Sequence, residues 1–470
     1  MLVVGVPLMW LYYQREADLR DLQAALAETD ALEPDGWRLE DLERQRRHIP
    51  DEENSALVML RAYALEEKDW PSWWHNSPHV SIYSCEEKSD WESMLSLQEV
   101  PPNYLLNGTQ FNILRNEICR NHRQLAALAA LDGKLSGRFP HTIKSPAILV
   151  DYDNHRKLQK LVNALDFQAR VKAQEGDFEA AWQSLTRSVF AIRACGDECA
   201  TIPLVMRMAG GHVFAQSTEA VMALGPTQED HLRTLQELVR IESQEPLLQR
   251  LLRAERAFVD RYHEELSAGL ISFSQFANLS RQPSGFLDDT LTDYYLQFSY
   301  GSIPLKRARA LRHFNKLQSL ATESQDAVVI SVAAAGFTTD TRHPLDHFLI
   351  DPSFRVIRAY GRHAAILRCL QVALALERYR LRNGCWPQSL DELVPQFLEN
   401  VPLDPFDGRP LRYADTAEGK VVYSVGFNQV DNRGNVGDGS SKNSDVGLRL
   451  YDPEHRRKPP LDDRVTAAEP

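Results

Sequence analysis

Four short stretches hold residue types that could do chemistry. In RHPLDHF, His343 and His347 stand four apart, the spacing that puts two imidazoles on one helical face as metal ligands. Pro344 lies between them and no third ligand stands nearby, which favours two surface histidines. In DYDNH, Asp151, Asp153 and His155 alternate in a way that suits a hard cation, although such a string also serves as a loop and N-cap for a following helix. Cys195 and Cys199 are one helical turn apart, and the spacing leaves open whether they pair or stay as two thiols. The fourth stretch is the polar loop GFNQVDNRGNVGDGSSKNSD, residues 426–445. A loop of about 20 residues needs something to order it. Here Asn428, Asp431, Asp438 and Asp445, with glycines that expose carbonyls, offer oxygens to a calcium ion. Arg433 rules out an EF-hand. No P-loop, GxGxxG, HExxH, GxSxG or CxxC is present, so no catalytic residue is assigned.

These residues sit in a chain of 470 residues, length enough for two or three domains. Hydrophobic residues are 43% and charged residues 25%, an ordinary globular composition. The 53 basic and 65 acidic side chains leave a net charge of −12, which argues against a nucleic-acid partner. Six cysteines are too few for a disulfide scaffold. Half of the eight tryptophans (Trp70, Trp73, Trp74 and Trp91) cluster in one segment, which suits either a glycan or partner surface or a cap on a helical core.

The elements that must position them are mostly helical. MLVVGVPLMWLYY carries no charge before Arg15, and Trp10, Tyr12 and Tyr13 gather at its end as at a membrane interface. Too short to span alone, residues 1–15 are read as part of an N-terminal membrane anchor whose first residues lie upstream; a buried N-terminal helix is the alternative. Residues 16–355 are read as an α-helical body. Its clearest unit is a hairpin over 158–174 and 177–195, broken by Gly176 as C-cap and Asp177 as N-cap. Further helices are expected at 203–223, 228–241, 245–268 and 304–324. Residues 459–470 read as a disordered tail.

From about residue 356 the pattern changes. A long amphipathic helix ends at Asn383-Gly384, SLDEL forms a capping box between Ser389 and Glu392, and DPFDGRP is turn chemistry. LRYAD and KVVYSVG form a hairpin around Gly419, and VGLRLY is a third strand after the long loop. The fold class is therefore mainly α, followed by a small α+β unit at 356–458 with a long helix on a three-stranded antiparallel sheet. ALERYRLRNGCWPQSLDELV, DPFDGRPLRY, YSVGFN and NSDVG resemble the globular domain of the type II secretion major pseudopilin, protein G. Tyr379, Asn383, Gly384, Pro387, Asp407, Gly408, Pro410, Tyr413, Ser424, Gly426 and Asp445 carry the likeness, with Trp386 in place of the usual Tyr. The resemblance implies a calcium site in the loop before the last strand, with Asp445 as the matching aspartate and Asn428 where an aspartate is usual. The feeding segment FRVIRAYGRHAA is rich in arginine, unlike the apolar helix of a fibre-forming pseudopilin.

The expected role is a binding or scaffolding protein with protein partners in the bacterial envelope, held in the inner membrane by one anchor with its bulk in the periplasm. The alternatives are an envelope hydrolase or glycan-processing enzyme with its site in the helical body, and a soluble helical-repeat adaptor.

Overall fold

The structure is a computed structural model that describes residues 2–65, 100–140, 145–147, 153–271, 303–335, 344–436 and 444–461. It is mainly helical, with one small antiparallel sheet near the C-terminus. The helices are α1 (Leu2–Leu32), α2 (Leu39–Gln45), α3 (Ser55–Tyr63), α4 (Gly108–Arg120), α5 (His122–Ala127), α6 (Asp153–Glu175), α7 (Phe178–Arg193), α8 (Thr201–Leu224), α9 (Glu229–Ser243), α10 (Leu247–Ser267), α11 (Ile303–Glu323), α12 (Gln325–Ala335) and α13 (Pro344–Asn383).

Local signals explain several of these boundaries. Gly176 adopts φ +88° after α6, and the Asp177 side chain accepts from the Ala180 N–H at 3.2 Å to start α7. The resulting hairpin buries Leu158, Leu161, Leu165, Leu185, Val189 and Ile192 in the main core.

The N-terminal anchor is overturned. Among the described residues, no helix is long and apolar enough to cross a membrane. The apolar stretch is only the first turns of α1, covering about 18 Å of the roughly 30 Å that a hydrocarbon core requires. The same helix then continues through Arg15, Glu16, Asp18, Arg20 and Asp21 and docks on α11. Arg312 of α11 bonds Asp21 at 2.8 Å and Glu28 at 2.9 Å, while Trp37, wholly buried, packs with Ala25, Ala308 and Leu311. With the transmembrane segment goes the single-anchor placement in an inner membrane with a periplasmic bulk.

Helix α13 is the spine of the molecule. It begins at Pro344, so residue 356 falls inside a continuous helix. From Ala364 to Leu376 nearly every side chain is buried, because different faces meet different neighbours. On one side lie α8 and α9, where Arg378 donates to Glu229 and Gln236 and Glu377 accepts from Thr227. On another lies the sheet, formed by β1 (Arg412–Thr416), β2 (Gly419–Ser424) and β3 (Val446–Tyr451) in that order. Register pairs Tyr413 with Val422 and Val422 with Leu448. Val422, Leu448 and Leu450 face α13 in the same core that contains the α6–α7 hairpin. The alternate residues Val421 and Tyr423 point to the opposite face and pack with Val436 of the following loop.

Candidate functional site

The turn, the strand end and the long loop of the C-terminal unit meet at two buried aspartates. Asp404, the first residue of DPFDGRP, is fully enclosed. Its Oδ1 accepts from Phe406 N at 2.9 Å and Ser424 Oγ at 2.8 Å; its Oδ2 accepts from Val425 N at 2.9 Å and Arg412 Nη1 at 2.7 Å. One carboxylate thus ties the turn to the end of β2 and to β1. Burial pushes its pKa up, and the hydrogen bonds pull it back only in part. Asp407 closes the same knot by pairing with Arg412.

Asp445 does the corresponding work for the loop. It is 1% exposed, and its oxygens accept from Asn432 N at 3.2 Å and Gly434 N at 2.8 Å. Its own N–H donates to the Asn435 carbonyl at 3.1 Å. The loop is drawn onto the outer face of the sheet, where Gly434 adopts φ +75° and a Cβ would lie 2.6 Å from Val421. Only glycine fits there. Burial raises the Asp445 pKa, countered by the two backbone N–H groups.

That geometry bears on the calcium expected between Asn428, Asp431, Asp438 and Asp445. Asn428 Oδ1 accepts from Val430 N at 3.1 Å, and Asp431 Oδ1 accepts from Arg433 N at 2.7 Å and Tyr423 Oη at 3.1 Å. Asn428 and Asp431, like Asp445, aim oxygens at N–H and O–H donors, whose positive ends repel a cation. As placed, they do not fit a calcium cage. Among the described residues, no group of three His, Cys, Asp or Glu side chains could hold a metal. Asp438 lies outside the described residues, as do the side chains of Asp151, Asp153, His155, His343 and His347 and the four clustered tryptophans.

Cys195 and Cys199 are both free thiols. Burial pushes each up to about 12, so neither is a thiolate at neutral pH.

Several acidic side chains of the helical body are spent on arginines. Glu242 and Glu245 share Arg193 and Arg207; Asp260 and Glu264 share Arg307; Glu43 and Glu198 share Arg46. Although burial opposes it, Arg207 and Arg193 hold Glu242 down at about 2. A general acid needs a raised pKa and a general base a substrate-facing lone pair. Carboxylates wedged by guanidinium groups supply neither. Sequence reading missed these partners, because ion pairs between helices leave no local spacing. Asp404 was legible only as a turn residue; its bond to Phe406 N, two residues on, is the one local signal.

The chain matches no known protein family, no characterised protein and no solved structure.

Proposed function

We propose that the chain is a binding or scaffolding protein whose C-terminal unit, of pseudopilin-G type, is held by the helical body as a fixed surface for protein partners. The observation that carries this reading is the enclosure of α13. A pseudopilin packs its helix in a fibre, whereas the helix here is covered by α8, α9 and the sheet within one core. What remains for a partner is the far side of the unit, where Val430, 55% exposed, sits in the loop beyond Phe427. Glu242, Glu245, Asp260, Glu43 and Glu198 of the body are locked to arginines.

A photo-crosslinking residue at position 430 of the full chain tests this in the native host. A discrete protein adduct is expected from position 430 and not from position 32 of α1, and Val430→Asp should abolish capture by a crosslinker at position 429. Identical adducts from positions 430 and 32, or fibres of the purified chain in electron micrographs, would refute it.

A further inference from the structure

The apolar interior falls into two main parts that meet along α13. The larger holds the α6–α7 hairpin, the sheet and the stretch of α13 from Ile366 to Leu376. The second packs α10, α11 and α12 against the start of α8 and against Val356, Ile357 and Tyr360 of α13.

Histidines stand at the seams of the second part. His363 of α13 is 4% exposed, and its ring lies where Gly211 of α8 has no side chain; a Cβ there would be 2.6 Å from the ring Cε1. His212, the next residue of α8, faces His363 and Arg362. His263 of α10 is as deeply buried, and its Nδ1 donates to the Val259 carbonyl at 2.7 Å. His313 of α11 meets Ser353 Oγ of α13 at 3.1 Å through Nε2 and sets its ring edgewise to Phe314 and Phe354.

The charges around these rings are mostly positive. His263 faces Lys306 and Arg307 of α11, and His313 has Lys316 beside it. His363 faces Arg207 of α8 and Glu242 of α9, but Glu242 is already held by Arg193 and Arg207. Asp260, on the helix of His263, is held by Arg307; Asp21 and Glu28, which α1 brings to α11, are held by Arg312. Against the larger core the arrangement is reversed: His231 pairs with Glu179 at 3.1 Å, its ring edgewise to Trp182.

We propose that the second core is an acid-operated clasp, in which protonation of His263, His313 and His363 beside these cations frees α10, α11 and α12 from α13 while the larger core stays closed. Burial, helped by the neighbouring cations, holds each of the three rings down at about 4 from an ordinary 6.5; the Val259 carbonyl at His263, and Glu242 with the Met208 carbonyl at His363, oppose it only in part. A freed ring therefore takes up a proton that the clasped ring refuses. Stability tied to it is fully present above about 6.5, falls as pH drops toward 4, and is flat below. At pH 5 each ring favours the open form about 30-fold more than at pH 8. Glu255 and Asp260 of α10, raised by burial, work in the opposite sense and trim the sum. On the larger core Glu219, pushed up to about 7, tightens the structure as pH falls.

Hydrogen exchange of the full chain at pH 8 and pH 5, corrected for the intrinsic rate, tests the clasp. Opening of residues 247–267 and 303–323 should rise at least about 100-fold on acidification, while that of 178–193 changes less than about threefold. His263→Gln and His363→Gln should each cut the acid response about 10- to 30-fold, read as the variant's own ratio between the two pH values so that a general loss of stability cancels. Deuterium exchange at the histidine ring carbons of the parent should place His263, His313 and His363 below about 5. An equal acid response in both cores, an unchanged ratio in both variants, or rings titrating near 6.5 would overturn the proposal.

Discussion

Glu219 offers the sharpest test of how the sheet is joined to the helical body. It lies on α8, 6% exposed, and its Oε1 accepts from the Arg449 N–H of β3 at 2.7 Å. β3 is an edge strand, so this carboxylate caps an outward N–H that no strand pairs. Burial pushes Glu219 up to about 7 from an ordinary 4.5, and the Arg449 N–H and charge offset only part of that. The native state therefore holds a proton that the unfolded chain releases between those two values. Stability tied to this group is fully present below about 4.5, falls as pH rises through about 7, and is flat above. The loss corresponds to about 3 kcal/mol. Glu219→Gln keeps the oxygen that caps Arg449 and cannot ionise. Hydrogen-exchange protection of residues 446–451, compared with the parent at each pH, should rise roughly 30- to 150-fold at pH 8, the equivalent of about 2–3 kcal/mol. At pH 4.5 variant and parent should agree within about threefold. An equal gain at both pH values would refute the linkage, and a loss at pH 8 would show that the charge itself holds the strand.

Other outcomes follow from the same contacts. The fragment 356–458, cut from the chain, should lack a cooperative melt and bind a hydrophobic dye, because the cut strips α8 and α9 from the buried faces of α13; a cooperative transition would show that the sheet alone suffices. Glu242→Gln leaves Arg193 and Arg207 enclosed with a weakened partner and should cost about 3–5 kcal/mol in urea unfolding, against which a cost under about 1 kcal/mol would count. Calcium and EDTA should give the full chain the same Tm within about 1 °C, since Asn428, Asp431 and Asp445 spend their oxygens on hydrogen-bond donors; a rise of several degrees that Asp438→Ala removes would instead assign an ion to the 437–443 segment.

Much of the fold is legible in the sequence because its signals are local. The Gly176–Asp177 break, the Ser389–Glu392 capping box and the Gly419 turn each act within a few residues, and the structure places an element boundary at all three. Legibility fails where the deciding contact is distant. MLVVGVPLMWLYY reads as part of an anchor until Asp21 and Glu28 are seen to meet Arg312, a partner that no window around residue 13 contains. The start of α13 is hidden for another reason: Pro352 lies inside the helix, at a place where proline reads as a break. At the site, Asp445 is recognisable as a loop-organising residue, yet an aspartate that accepts backbone N–H groups and one that ligates a cation look alike in a string of letters.

The residues on which the sequence resemblance to a pseudopilin rests, and Trp386 beside them, are bonded mainly within the C-terminal unit. Tyr379 Oη donates to Glu392 at 2.7 Å, Tyr413 Oη donates to the Pro387 carbonyl at 3.2 Å, and Trp386 Nε1 donates to Asp452 at 2.6 Å. Ser424 joins Asp404 in the buried knot, and Asp445 holds Asn432 and Gly434. Side chains used up in this way specify a shape and leave little to recognise a partner. A likeness carried by them therefore bears on fold, and a partner has to be read from positions outside the motif, such as the exposed Val430, Leu403 and Leu381. Substituting motif residues should unfold the unit and lose binding with it. Substituting the exposed ones should lose binding alone, and that separation distinguishes a recognition surface from a merely well-built fold.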